Sequence, residues 1–139
     1  MNTFTKAVKA QNAFDVCNDM TGYMPTPEST AAHIILTDIF NEARKSKTLP
    51  TGQYWLGAER RLVGGDNQWT WIASGEPVLW ASWRSNHLTQ SENFVSTYND
   101  NSWRDQDGNE VNNLYCIQVI CFLGAFLPMT VKNVIRTFC

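Results

Sequence analysis

Apolar residues recur along this chain first at three- and four-residue steps, and past residue 53 in short runs and alternations. Ala7, Ala10, Ala13, Phe14 and Cys17 follow the helical step, so a helix is expected over residues 6–17. Thr26-Pro27-Glu28 then offers a hydroxyl N-cap, a proline at the first helical position and an acid in the first turn. Behind it Ala32, Ile35, Leu36, Ile39, Phe40 and Ala43 draw one apolar face, which predicts a second helix. Arg44-Lys45-Ser46-Lys47 reads as the basic end of that helix, favoured by its dipole, rather than as a phosphate site. Ser46 to Gly52 breaks the pattern.

From there the period is two. Tyr54-Trp55-Leu56-Gly57 reads as a short buried strand and Gln68-Trp69-Thr70-Trp71-Ile72 as an alternating one, with Gly64-Gly65-Asp66-Asn67 as the turn between. Val78–Trp83, Phe94–Tyr98 and Leu114–Ile117 are further strand candidates. The polar stretches 84–93 and 99–113 read as loops, long ones for a small domain, and long loops on a rigid scaffold commonly carry binding. Helices first and short strands after predict an α+β fold in one domain, without internal repeats.

Composition narrows the chemistry. All six tryptophans fall between Trp55 and Trp103, and each such ring buries about 150–250 Å², so a stiff aromatic core carries the strand region. A net charge of −2 supplies no basic field for nucleic acid or an anionic membrane. Four cysteines, at 17, 116, 121 and 139, form no Cys-x-x-Cys pair, and with two histidines they argue against structural zinc. Their even number favours disulfides and an oxidising compartment, and spacing leaves all three pairings open. Met1–Lys6 has no apolar core of a signal peptide. The apolar run Ile117 to Val131 contains Pro128 and stops short of the roughly 20 residues a bilayer crossing needs, so a buried element is expected there before an anchor.

The run Cys17, Gly22, Pro25 and Glu28, then Tyr54-Trp55-Leu56-Gly57-Ala58, Trp69-Thr70-Trp71 with Ser74-Gly75, Trp83, Glu92, Trp103-Arg104-Asp105 and Tyr115-Cys116 resembles the C-type lectin-like domain over about residues 7 to 118. The resemblance implies two helices, small antiparallel sheets and a long loop region, with Cys17 and Cys116 bridged. It also implies a second disulfide, whose positions hold Phe94 and Gly108 here, so that bridge is expected to be lost. The remaining segment, 119–139, with Cys121 and Cys139, continues past the family's usual end. It is read as an apolar extension of unknown role: an element closed by those two cysteines, a truncated membrane-proximal piece, or sequence foreign to the domain.

The family's calcium-dependent sugar binding uses a Glu-Pro-Asn or Gln-Pro-Asp tripeptide and an Asn-Asp pair, since calcium takes six to eight oxygens. Glu76-Pro77-Val78 lies upstream of the loop and is a decoy. Matching Trp83 to the family tryptophan puts the tripeptide within Arg84–Leu88, and matching Trp80 puts it at Arg84-Ser85-Asn86; neither is intact. The later pair reads Arg104-Asp105, and a guanidinium carries no acceptor. Such a cation beside a dication costs about 4 kcal/mol per unit charge at 4 Å and an effective dielectric of 20. Glu92 and Asp105, with Asn86, are the residual candidates for an ion, and no cofactor is expected.

Trp55, Trp69 and Trp71 read as core, while Trp80 or Trp83 could present a ring at the surface. The Asn/Asp-rich set Asn99, Asp100, Asn101, Asp105, Asp107 and Asn109 reads as turn chemistry. His33 and His87 have no second histidine at ligand spacing, and no nucleophile, zinc or phosphate-loop motif is present, so catalysis is not expected. The chain is therefore expected to be an extracellular recognition domain, 1–118. It would bind carbohydrate through Trp83, Arg84, Asn86, Glu92, Arg104 and Asp105 without the usual calcium mechanism. The alternative is a protein-binding module on the same scaffold, and a membrane is not an expected partner.

Overall fold

The computed structural model describes residues 3–45, 52–84 and 92–118. The segment 46–51, the stretch 85–91 with Asn86 and His87, and the extension 119–139 with Cys121 and Cys139 lie outside the described residues. The chain opens with a strand, β1 (Thr3–Lys9), where the period predicted the start of a helix. It pairs antiparallel with β7 (Val111–Gln118), Phe4 opposite Tyr115 and Lys9 opposite Val111. A ladder partner a hundred residues away overrides the weak local alanine period, so the first helix, α1 (Ala10–Asp19), begins four residues later than its expected start. It buries Ala10, Ala13 and Cys17 and leaves Phe14 exposed.

After β2 (Gly22–Tyr23), which lies along the other edge of β7, comes α2 (Thr30–Lys45). Its first turn is capped by Ser29, whose Oγ accepts from the Ala32 N–H at 3.2 Å. Thr26, the expected cap, instead donates its hydroxyl to the Met24 carbonyl. Ala32, Leu36 and Phe40 form the buried stripe.

The second sheet runs in the order β4-β3-β5-β6, all antiparallel. Strands β3 (Trp55–Val63) and β4 (Asp66–Trp71) are joined at Gly64 (φ 59°) and Gly65 (φ 91°), the two positive φ values a tight primed hairpin turn demands. Strand β5 (Phe94–Thr97) pairs with β6 (Trp103–Gln106), so the expected loop 99–113 contains a strand and the beginning of β7. Val78–Trp83, expected as a strand, makes one isolated bridge, Trp83 to Trp103, beside another from the preceding Pro77 to Thr70. A parallel bridge between Tyr54 and Asn113 joins the two sheets.

Two adjoining clusters fill the interior. One groups Ala10, Ala13, Cys17, Met24, Trp55, Leu114 and Cys116; the other groups Leu36, Phe40, Tyr54, Trp71, Val95, Trp103 and Ile117 among its members. Cys17 and Cys116 are disulfide-bonded, Cα to Cα 5.2 Å, tying α1 to β7. The positions the resemblance assigned to a second bridge are also in contact: a Cβ built on Gly108 would sit 2.6 Å from Phe94 Cε2. A phenyl ring now fills the place of that bridge, and only glycine leaves room for it.

Candidate functional site

Trp103 organises the end of the second sheet that carries the β5–β6 turn. It is 1% exposed, and Trp71, Trp80 and Trp83 meet it edge-on, with ring centroids 5.6–6.1 Å away. Edge-to-face contact at this range is the favoured geometry of aromatic quadrupoles. Trp83 also lies 5.3 Å from Trp69, and Trp80 5.4 Å from His33 on α2. Both tryptophans considered for ligand contact are thus half-buried members of a cluster. Beside them Leu79 is 90% exposed.

The backbone zips this irregular segment onto β6: Trp103 N–H donates to the Ser82 carbonyl at 2.8 Å, and Arg84 N–H to the Trp103 carbonyl at 2.9 Å. Arg84 is thereby fixed next to Arg104. Both guanidiniums lie against one ring, that of Tyr98, with Cζ to centroid distances of 4.4 Å for Arg84 and 5.1 Å for Arg104. Arg84 Nη1 reaches Asp100 Oδ2 at a long 3.5 Å. The Asp100 carboxyl is held below its usual range chiefly by the Ser102 hydroxyl, then by the Ser102 N–H, with Arg84 adding less. Arg104 pairs through its backbone with Ser96, while its side-chain Nε is buried without a hydrogen-bond partner among the described residues.

The turn that carries Tyr98 and Asp100 is anchored from the far side by Arg44. Its guanidinium donates to Asn101 Oδ1 at 2.7 Å, to the Tyr98 carbonyl at 3.0 Å and to the Gly52 carbonyl at 2.8 Å. It also lies 5.2 Å from the Tyr54 ring. Asn101, at φ 66°, is buried and bonds Asn41 of α2. Asparagine tolerates the left-handed region better than other non-glycine residues. Reading Arg44 as a helix-end charge missed this role. Tyr98, Asp100 and Asn101 were read only as strand end and turn.

Of the other expected site residues, Asp105 is buried within β6 opposite Val95, and Glu92 is half-buried just before β5. Asn86 lies outside the described residues. No three His, Cys, Asp or Glu side chains among the described residues converge as a metal would require. Arg104, whose Nε is buried without a partner, precedes Asp105 in β6.

The model of the lectin C-type domain family matches residues 6–118, and the chain belongs to that family, which is non-enzymatic. Among solved structures it is similar to human lithostathine, with 17% identity over 83% of this chain and 80% of that one and a TM-score of 0.68. It is similar too to the cow carbohydrate-recognition domain of CD23 in the presence of a GlcNAc2Man3 oligosaccharide, with 21% identity, 86% and 88% coverage and a TM-score of 0.62. A calcium-independent type II antifreeze protein shares 19% identity over 83% and 84% of the two chains, again at a TM-score of 0.62. No curated protein sequence matches the chain. At these identities the structural likenesses establish the fold. A disulfide-bonded domain of this family is typical of extracellular proteins, and no described helix is long and apolar enough to cross a membrane.

Proposed function

We propose that this is a secreted lectin-like recognition domain, residues 1–118, with 119–139 as a separate extension, and that it binds carbohydrate without calcium. The ligand face is formed by Trp83, Arg84, Tyr98 and Arg104, at the end of the sheet that carries the β5–β6 turn, where residue 84 leads into the long loop. One observation carries the reading: two guanidiniums share the Tyr98 ring, one of them at the position where the family's relatives place an amide ligand of the ion. A surface built this way supplies fixed donors to sugar hydroxyls directly, the task a bound cation performs elsewhere in the family.

The test is glycan-array binding with and without EDTA, beside a calcium titration followed by thermal shift. Binding that persists in EDTA and falls in Arg104→Ala supports the reading. A calcium-dependent rise in melting temperature, which a real site produces as RT ln(1 + [L]/Kd), together with loss of binding in EDTA, overturns it. Leu79, 90% exposed beside Trp80, favours a second reading in which the same end of the domain docks a protein. Array silence combined with capture of a protein partner that Leu79→Ser abolishes would select it.

A further inference from the structure

The pairing of Arg84 and Arg104 on Tyr98 gathers positive charge that, among the described residues, meets a carboxylate in an ion pair only at Asp100. Their Cζ atoms lie within 4.4 and 5.1 Å of one ring centroid, so they cannot be further apart than those two distances together. The one carboxylate that an ion pair brings to them is Asp100, and its contact is long and exposed. Asp100 Oδ1 is occupied by the Ser102 hydroxyl at 2.6 Å and N–H at 3.1 Å, and Arg84 reaches only the other oxygen, Oδ2, at 3.5 Å. The Arg104 Nε is buried and without a hydrogen-bond partner among the described residues. The other described arginines are engaged elsewhere: Arg44 by four backbone and side-chain oxygens, Arg60 by the Asn93 amide oxygen with its Nη1 unpartnered, and Arg61 by Glu59. On a chain of net charge −2, this is a local cationic spot held in place by an aromatic ring and two backbone hydrogen bonds.

We infer that Arg84 and Arg104 form an anion subsite on the ligand face, selecting saccharides that carry a carboxylate or sulfate group. The inference rests on the carbohydrate reading above and narrows its ligand class. Guanidiniums present paired N–H donors that match the oxygens of these groups, and charge-assisted bonds are about twice as strong as neutral ones. An anion that reaches both guanidiniums is attracted by each and relieves their mutual repulsion. Tyr98 keeps both side chains in position before the ligand arrives, which lowers the ordering cost of binding.

The probes are a sulfated glycosaminoglycan oligosaccharide, a uronate oligosaccharide, the desulfated and carboxyl-reduced counterparts of each, and a neutral oligosaccharide series. All are titrated in EDTA at low salt against the whole chain. The charged probes should bind about tenfold tighter than their neutralised counterparts. Arg84→Gln and Arg104→Gln should each lose about five- to tenfold more toward charged probes than toward neutral ones. Arg61→Gln, which removes a charge elsewhere on the sheet, should change nothing. The Arg84 side chain is exposed and makes one long ion pair, so that variant reports on binding even where Arg104→Gln folds poorly. Equal affinity for charged and neutral probes, with Arg104→Ala still weakening both, sinks the subsite and leaves the carbohydrate reading standing. Loss in Arg61→Gln as large as in Arg84→Gln shows diffuse charge and also sinks it. Absence of binding to every saccharide overturns both.

Discussion

The two sheets of this domain are held by different means. Around β7 the base is secured by a disulfide closing a span of 99 residues and by close-packed small side chains, Ala10, Ala13 and Cys17 against Leu114 and Cys116. The opposite end, from Pro77 to Arg84 and around the β5–β6 turn, is held by aromatic edges and a polar network centred on Arg44. Covalent and apolar restraint is insensitive to what lies on the surface. Aromatic and guanidinium contacts, by contrast, hold a shape while leaving charge and ring edges available. The ligand face therefore falls at the end built from the second kind of material.

Breaking the base should cost most. Cys17→Ala with Cys116→Ala should lower stability by about 4–5 kcal/mol in the chain-entropy account, read from denaturant midpoints, with ligand binding recovered wherever the protein is still folded. Arg44→Met should cost about 2–3 kcal/mol, because several buried acceptors lose a charged donor. Its distinguishing mark is local: amide exchange should accelerate at residues 98–102 while the β1–β7 ladder keeps its protection. If exchange rises equally in both regions, the contrast drawn here is wrong. Arg84→Gln should move stability by less than about 0.5 kcal/mol, as exposed pairs do, while weakening binding.

The smallest effect concerns pH. Burial against Trp80 and Trp103 lowers the pKa of His33 below its ordinary value. The unfolded chain thus takes up a proton first as pH falls, so stability is complete above about 6.5, declines below it, and levels off beneath the folded pKa. A His33→Gln variant should show no such slope between pH 7 and 5 in thermal melts. A slope that persists unchanged would assign it to another group.

Much of this was legible along the chain. The stripe from Ala32 to Ala43, the Gly64-Gly65 hairpin and the alternation through Trp69 and Trp71 are local signals, and each produced the element it predicted. The family likeness in turn implied the Cys17–Cys116 bridge. The misses share one cause. Thr3–Lys9 and Trp103–Gln106 became strands through partners far away in sequence, and Val78–Trp83 failed to become one because it found only an isolated bridge.

Sequence alone determined the class of fold, the tryptophan core and the arginine that replaces an amide at position 104. These depend on residue type and spacing, which a linear reading preserves. Only the folded chain decided that Arg84 and Arg104 share the Tyr98 ring, that Arg44 anchors its turn, and that Phe94 fills the space above Gly108. Those contacts join residues 6 to 57 positions apart, or strands whose register is set by pairing. Such geometry is created by packing and exists in no local pattern.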